Sequence, residues 1–183
     1  MSSLILGIVA SGGVTAAGTS YESIATTTVS GGTTFTFSSI PSTFKHLQIR
    51  YNLIMGSGFD AIFVQYNSDT GSNYARHGLY GTGAVAGAVG AASTTTMYAY
   101  GFFTGVIPTH PNVGIVDILD YASTTKYKTL RTFAGADTNG VNGNVSIGSG
   151  LWMNTNAVTS ITFSSSSTFN SGTIALYGIK ESA

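Results

Sequence analysis

The alternation of apolar and polar residues between Phe44 and Met55 constrains this chain more than any other feature of its sequence. Apolar residues occupy every second position there, with hydrogen-bonding residues between most of them. Because successive side chains of a β-strand point to opposite faces, this period of two predicts a strand with one buried and one solvated face. The predicted core positions are Leu47, Ile49, Tyr51, Leu53 and Met55, and the predicted solvent-facing positions are Gln48, Arg50 and Asn52. A slip of one residue would expose the whole apolar set, so the register is strongly constrained.

Similar alternation recurs later in the chain, and helical periodicity is almost absent. It places Ile62, Val64, Ile161 and Phe163 in the core as well. The segments Val113–Tyr121 and Thr173–Lys180 are apolar at both parities, which predicts strands buried on both faces. Turns rich in Gly, Ser and Asn separate about eight to ten such strands. This pattern predicts an all-β fold, a jelly-roll-like antiparallel β-sandwich of two four-stranded sheets.

Two segments do not have the pattern of a strand. Residues 1–19 are predicted to form an N-terminal extended arm, and residues 20–183 a single β-sandwich domain. The second segment, Gly81–Ala92, consists almost entirely of Gly, Ala and Val and predicts either a flexible surface loop or a segment in close contact with its neighbours.

The arm begins with an apolar block that would promote aggregation if it were exposed to solvent. The candidate anchoring residues in this block are Leu4, Ile5, Leu6, Ile8 and Val9. Glycines follow the block, so we expect the arm to reach outward and add a strand to the sheet edge of a neighbouring protein.

Charge and composition exclude several classes of protein. Seven basic and seven acidic residues give a net charge of zero, and only 8% of the residues are charged. A nucleic-acid-binding protein would carry a basic patch, so no nucleic acid is expected as a partner. The longest apolar run, Leu4–Ala10, is too short to span a bilayer, so no membrane association is expected either. Such a weakly charged surface suits a subunit that assembles with others.

Residues that often perform catalysis or bind metals do not occur in the required patterns. Cysteine is absent, and the three histidines, His46, His77 and His110, have no partner at metal-ligand spacing. No Gly-x-Ser-x-Gly sequence marks a nucleophilic serine. We therefore expect no catalytic residue, no cofactor and no metal.

The few carboxylates support the same expectation. Asp117 and Asp120 lie three residues apart on one predicted strand and so on opposite faces, which argues against a cooperating catalytic pair. One of them is instead expected to be buried and bonded to Arg131 or Lys126. The loops Asn67–Gly71 and Asp137–Gly143 hold oxygen-bearing side chains that could bind calcium, but these residue types also favour turns, and we favour the turn interpretation. Aromatic rings such as Trp152, Tyr98 and Tyr100 leave glycan contact as a weaker possibility than core or interface packing.

Several phrases of the sequence resemble small virion proteins of tailed bacteriophages, over roughly residues 20–180. They are Ser20-Tyr-Glu-Ser-Ile-Ala-Thr26, Phe37-Ser-Ser-Ile-Pro-Ser-Thr-Phe-Lys-His-Leu-Gln-Ile-Arg50, Tyr66-Asn-Ser-Asp-Thr-Gly-Ser-Asn-Tyr74, Asp117-Ile-Leu-Asp-Tyr121, Tyr127-Lys-Thr-Leu-Arg131, Ser149-Gly-Leu-Trp152, Asn156-Ala-Val-Thr-Ser-Ile161 and the closing Leu176-Tyr-Gly-Ile-Lys180. The resemblance implies a non-enzymatic structural protein and brings no catalytic residues with it.

From this resemblance we expect a capsid decoration (cement) protein that bridges neighbouring shell subunits. The alternative is a tail or tail-fibre protein that contacts the host surface or its glycans. The expected partners are other virion proteins and, from the same resemblance, two further copies of the chain in a homotrimer. The expected location is the virion, after synthesis in the cytoplasm of the host bacterium.

Overall fold

A computed structural model describes residues 20–56, 61–101, 109–137 and 143–180, with the side chains of residues 100 and 101 left out. Within these ranges the chain forms twelve strands and no helix, so no described helix could cross a membrane. The strands are β1 (Tyr21–Val29), β2 (Thr34–Phe37), β3 (His46–Met55), β4 (Ala61–Tyr66), β5 (Tyr74–Gly81), β6 (Ala86–Thr94), β7 (Met97–Gly101), β8 (Pro111–Leu119), β9 (Lys128–Ala136), β10 (Asn144–Trp152), β11 (Ile161–Ser165) and β12 (Phe169–Ile179).

The strands form two antiparallel sheets of unequal size. The large sheet has eight strands in the order β1-β12-β3-β8-β9-β10-β5-β6, and the small sheet has four in the order β2-β11-β4-β7. One hydrophobic core fills the space between the sheets. The predicted all-β antiparallel sandwich is therefore confirmed.

The difference from the expected two sheets of four strands comes from two inserted hairpins. Without β5–β6 and β9–β10, the sheets reduce to β1-β12-β3-β8 and β2-β11-β4-β7, an order consistent with a jelly roll. Both hairpins join the large sheet on the far side of β8. The hairpin β9–β10 pairs with β8 directly, and the hairpin β5–β6 follows it at the edge of the sheet. They widen one sheet of the sandwich and leave the other unchanged.

The core confirms the predicted register of β3. Leu47, Ile49, Leu53 and Met55 have no exposed surface, and Tyr51 is 5% exposed. The other predicted core residues, Ile62, Val64, Ile161 and Phe163, are also fully buried. Arg50 and Asn52 are exposed as predicted. Gln48 lies on the outer face but is buried, because its amide is bonded to Asp117 on one side and to Arg50 on the other.

Three sequence interpretations are corrected by the structure. The strand predicted over Thr173–Lys180 is buried on one face only, since Thr173 is exposed and Ala175, Tyr177 and Ile179 are half-buried. The strand predicted over Val113–Tyr121 is not buried on both faces in the single chain, since Val113 and Ile115 on β8 are 45% and 40% exposed. The segment Gly81–Ala92 is not a loop, because most of it belongs to strand β6. Its close-contact interpretation is supported, since a side chain at Gly87 would meet the ring of Tyr80 at 2.4 Å.

Candidate protein-binding surface

The outer face of the large sheet carries a row of large apolar side chains across four adjacent strands. The pairing register places Ile115 of β8 beside Phe133 of β9, which lies beside Ile147 of β10, which in turn lies beside Leu79 of β5. We call these four residues the apolar row. Their backbones are held by the ladder hydrogen bonds of the sheet, so the row is a fixed feature of the fold.

A second row, one step further along the strands, alternates between valine and glycine. It consists of Val113, Gly135, Val145 and Gly81 on the same four strands, and we call it the glycine row. Because Gly135 and Gly81 have no side chains, the sheet surface is depressed there. A depression of about 470 Å³, lined in part by Val113, Phe133 and Val145, lies over Gly135. A neighbouring one of about 650 Å³ extends past Gly81 to the strand ends.

The six large apolar residues of the two rows are all exposed in the single chain, by 40% for Ile115 up to 58% for Phe133. Single exposed apolar side chains are common on soluble proteins, but six neighbours on one face form a patch of the kind that binds a partner. Together the two rows form the apolar face.

A ladder of polar side chains borders the apolar face on the side opposite the glycine row. Asp117 accepts hydrogen bonds from Gln48 at 2.8 Å and from Arg131 at 3.0 Å, and Gln48 accepts one from Arg50 at 2.7 Å. The Arg50 guanidinium also stacks over the ring of Tyr177 at 5.2 Å. Asp117 and Arg131 are therefore paired within one chain, while Arg50 is held by neutral groups. The outer face of the sheet beyond them, on β3, β12 and β1, holds mainly polar residues.

The three histidines lie apart from one another. His46 accepts a hydrogen bond at Nδ1 from the backbone N–H of Asp120 at 3.0 Å, His77 is exposed on β5, and His110 contacts the hydroxyl of Thr109. Within the described ranges, no three His, Asp or Glu residues come close enough to hold a metal ion.

The sequence predicts that one of Asp117 and Asp120 is paired with a basic residue, and the structure pairs both. Asp117 is paired with Arg131 on the neighbouring strand, as expected, and Asp120 is bonded to Lys126 at 2.7 Å. The hydrogen bond from Lys126 lowers the pKa of the Asp120 carboxyl below its usual value. Both carboxylates are half-buried rather than buried, because each lies at the rim of the sheet surface and not between the sheets.

Turn chemistry explains the oxygen-bearing loop Asn67–Gly71. The carboxylate of Asp69 accepts hydrogen bonds from Trp152 Nε1 at 2.7 Å, from the Gly71 N–H at 2.9 Å and from Asn73 Nδ2 at 2.9 Å. The bond from Trp152 contributes most to lowering the pKa of this carboxyl. Most of the second loop, residues 138–142, lies outside the described residues.

Of the aromatic residues considered for glycan contact, Trp152 lies in the interior and Tyr98 is half-buried. Trp152 is 1% exposed and packs against Tyr66 and Tyr74, so its ring is not available to a sugar. Tyr98 is covered by the guanidinium of Arg76 at 4.2 Å. The side chain of Tyr100 and the candidate anchoring arm, Leu4, Ile5, Leu6, Ile8 and Val9, lie outside the described residues.

Sequence reasoning missed the apolar face, although part of its signal was present. The apolar residues at both even and odd positions of Val113–Tyr121 predict burial on both faces within one chain. The same pattern arises when one face is in the core and the other is left for a partner. Comparison with known proteins adds no further assignment, because no family model, curated protein or solved structure matches the chain.

Proposed function

We propose that the chain is a non-enzymatic structural component of a tailed-phage virion, a capsid decoration protein that bridges neighbouring shell subunits. The observation that best supports a structural subunit that assembles with other proteins is the apolar face, a fixed surface of six exposed apolar side chains on β8, β9, β10 and β5. Such a surface binds protein by burial and performs no chemistry.

Burial of the apolar face would contribute substantially to binding. Complete burial of an exposed aliphatic or aromatic side chain contributes about 1.5–3 kcal/mol, and these six are about half-exposed. Covering them would then contribute roughly 5–9 kcal/mol before the costs of association are subtracted. A weakly charged surface also allows many copies to pack closely without mutual repulsion.

The arm is the proposed attachment point to the shell, and the resemblance to phage virion proteins supports the virion as the location. Its apolar block alternates little with polar residues, so it would be buried on both sides when it joins the sheet edge of another protein. Deleting residues 2–12 is expected to leave the domain folded and to abolish incorporation into particles.

Immunogold electron microscopy of particles from the phage that encodes the chain tests this proposal, with an antibody against residues 20–180. Gold over the heads supports a decoration protein, and particles that lack the gene provide the control for background label. Gold confined to the tails would overturn the decoration role in favour of the tail or tail-fibre alternative. Absence of the chain from purified particles by mass spectrometry would overturn the virion proposal itself.

A further inference from the structure

We infer that the apolar face is the interface between copies of this chain, so that a second copy covers it in solution and in the particle. The inference deepens the proposed function, because it names the partner of this surface and leaves the arm to bind the shell. Three properties of the face favour a second copy over a different protein: its relief, its charge and its area.

The relief of the face is complementary to itself. The apolar row forms a ridge of large side chains, with Phe133 near its centre, and the glycine row beside it forms a groove over Gly135. When two such faces meet about a two-fold axis, the ridge of each copy enters the groove of the other, and this interface is that of a dimer and not of the homotrimer that the resemblance implies. Isologous interfaces require this property, because the same patch must fit its own copy. Faces of two sheets commonly pack in this way, with side chains interdigitating about 10 Å apart.

The charge of the face allows the same surface to meet itself. The six apolar residues carry no charge, and the bordering Asp117 and Arg131 are paired with each other at 3.0 Å. Arg50 lies beside Ile115 at the β3 end of the apolar row and has no carboxylate partner among the described residues; its guanidinium bonds to neutral Gln48 and stacks on the rings of Tyr21 and Tyr177. The net charge of zero adds no like-charge repulsion between two copies at longer range.

The area of the sheet around the apolar face is close to that of a stable interface. β8, β9, β10, β5 and β6 lie side by side, and each has eight or nine residues. With strands about 4.8 Å apart and a rise of about 3.4 Å per residue, the whole outer face of these five strands measures roughly 24 by 29 Å, or about 700 Å², and the apolar face covers part of it. A standard interface buries about 800 Å² on each partner, so the interface extends from the apolar face over the surrounding surface of these strands.

Single substitutions on the outer face test the inference, because these side chains lie outside the core. Phe133→Lys and Ile147→Lys each place a charge in the centre of the proposed interface, whereas Tyr127→Lys places one on a residue that is 55% exposed in the turn between β8 and β9. Molar mass is measured by sedimentation equilibrium at micromolar concentration, and circular dichroism verifies that each variant is folded. We expect the natural chain and Tyr127→Lys to be oligomers, and the two face variants to be monomers of 18.8 kDa.

Thiol protection provides a second measurement in a chain that has no cysteine of its own. A maleimide is expected to react at least tenfold more slowly with Ile147→Cys than with Thr124→Cys, which is exposed in the turn before β9. Adding Phe133→Lys to Ile147→Cys should restore fast labelling, because the oligomer that covers position 147 dissociates.

Three results would overturn the inference. The natural chain could be a monomer at micromolar concentration, or an oligomer that Phe133→Lys and Ile147→Lys do not dissociate. Deletion of residues 2–12 could convert the oligomer to a monomer, which would make the arm the occupant of the face. These measurements use the purified chain, so their failure is distinct from the absence of gold label on particles, which concerns the proposed function.

Discussion

Tyr66 and Tyr74 illustrate how two buried tyrosines of the same core differ in what their hydroxyls contribute. The Tyr74 hydroxyl accepts a hydrogen bond from the Tyr66 N–H at 3.1 Å and lies 3.1–3.2 Å from the carbonyl oxygens of Tyr66 and Asp69. The Tyr66 hydroxyl is buried with no partner among the described residues. A buried hydroxyl without a partner destabilises the folded state, whereas a bonded one stabilises it.

The two tyrosines therefore predict opposite effects of the same substitution. We expect Tyr66→Phe to raise the free energy of unfolding by about 1 kcal/mol, because it removes an unsatisfied polar atom. We expect Tyr74→Phe to lower it by about 1–3 kcal/mol, because backbone groups lose their partner. Denaturation in urea measures both variants, and a greater loss of stability in Tyr66→Phe than in Tyr74→Phe would contradict the assignment.

The same tyrosines predict how stability depends on alkaline pH. Burial raises the pKa of Tyr74 to about 12 and that of Tyr66 well above its usual value of 10. In the unfolded chain both phenols ionise near pH 10, so the unfolded state binds fewer protons above that pH. The part of the folding stability that depends on these two protonated phenols is therefore fully present below pH 10. It is lost as the pH rises through their folded-state pKa values.

Tyr66→Phe provides the measurement of that pH dependence. Between pH 10 and 12 each buried tyrosine lowers the free energy of unfolding by about 1.4 kcal/mol per pH unit. The variant lacks one of them, so we expect its slope against pH to be shallower by about that amount. Equal slopes for the natural chain and the variant in urea denaturation at pH 9 to 12 would show that Tyr66 does not contribute.

At the scale of the element, strand β12 depends on one glycine. Gly172 follows a register irregularity between Phe169 and Ser171 and adopts a φ of +131°, in the region that side chains disfavour. A Cβ there would lie 2.1 Å from the backbone oxygen of Asn52 on β3, and this oxygen cannot move without breaking the ladder. The strand can pair with β3 at this point only because the residue is glycine.

Gly172→Ala is therefore expected to lower the free energy of unfolding by at least about 2 kcal/mol, through backbone strain and the contact with Asn52. Gly78→Ala on β5 is the matched control, because the nearest atoms to its Cβ would be Ile147 O and Val89 Cγ2 at an ordinary 3.4–3.5 Å. Thermal and urea denaturation of both variants measure the difference. A loss in Gly172→Ala no greater than that in Gly78→Ala would refute the argument.

The sequence predicted individual strands to different extents, for physical reasons. Strand β3 was predicted in register because its alternating side chains distinguish the core from the outer face. Strand β6 was missed because Ala and Gly differ too little in hydrophobicity to show an alternation. In β8 the residues at even and at odd positions are both apolar. This pattern alone cannot distinguish a face in the core from a face that binds a partner.

At the scale of the whole molecule, the inserted hairpins determine what the sandwich presents to its surroundings. The outer face is largely polar on β1, β12 and β3, and it becomes apolar from β8 onward, on β9, β10 and β5. The order of strands within a sheet depends on contacts between distant parts of the chain, such as β10 with β5. Periodicity within one segment holds no information about such pairing, so the apolar face was not predictable even where its residues were correctly placed on strands.

The apolar character of this face predicts how assembly responds to salt and temperature. Asp117 and Arg131 at its border pair within one chain, so association should not depend on charges that meet across the interface. We expect the dissociation constant to change less than about twofold between roughly 0.01 and 1 M sodium chloride, over which the Debye length falls from about 30 to about 3 Å.

Temperature gives the complementary measurement, because burial of apolar surface weakens on cooling and gives a negative heat capacity of association. Dilution calorimetry at several temperatures should therefore show a heat of dissociation that rises with temperature, and sedimentation should show weaker association in the cold. Sodium sulfate, which is excluded from protein surfaces, should strengthen association at equal ionic strength. The dissociation constant of an interface held by ion pairs would instead rise steeply with sodium chloride. That result would assign assembly to a charged surface and not to the apolar face.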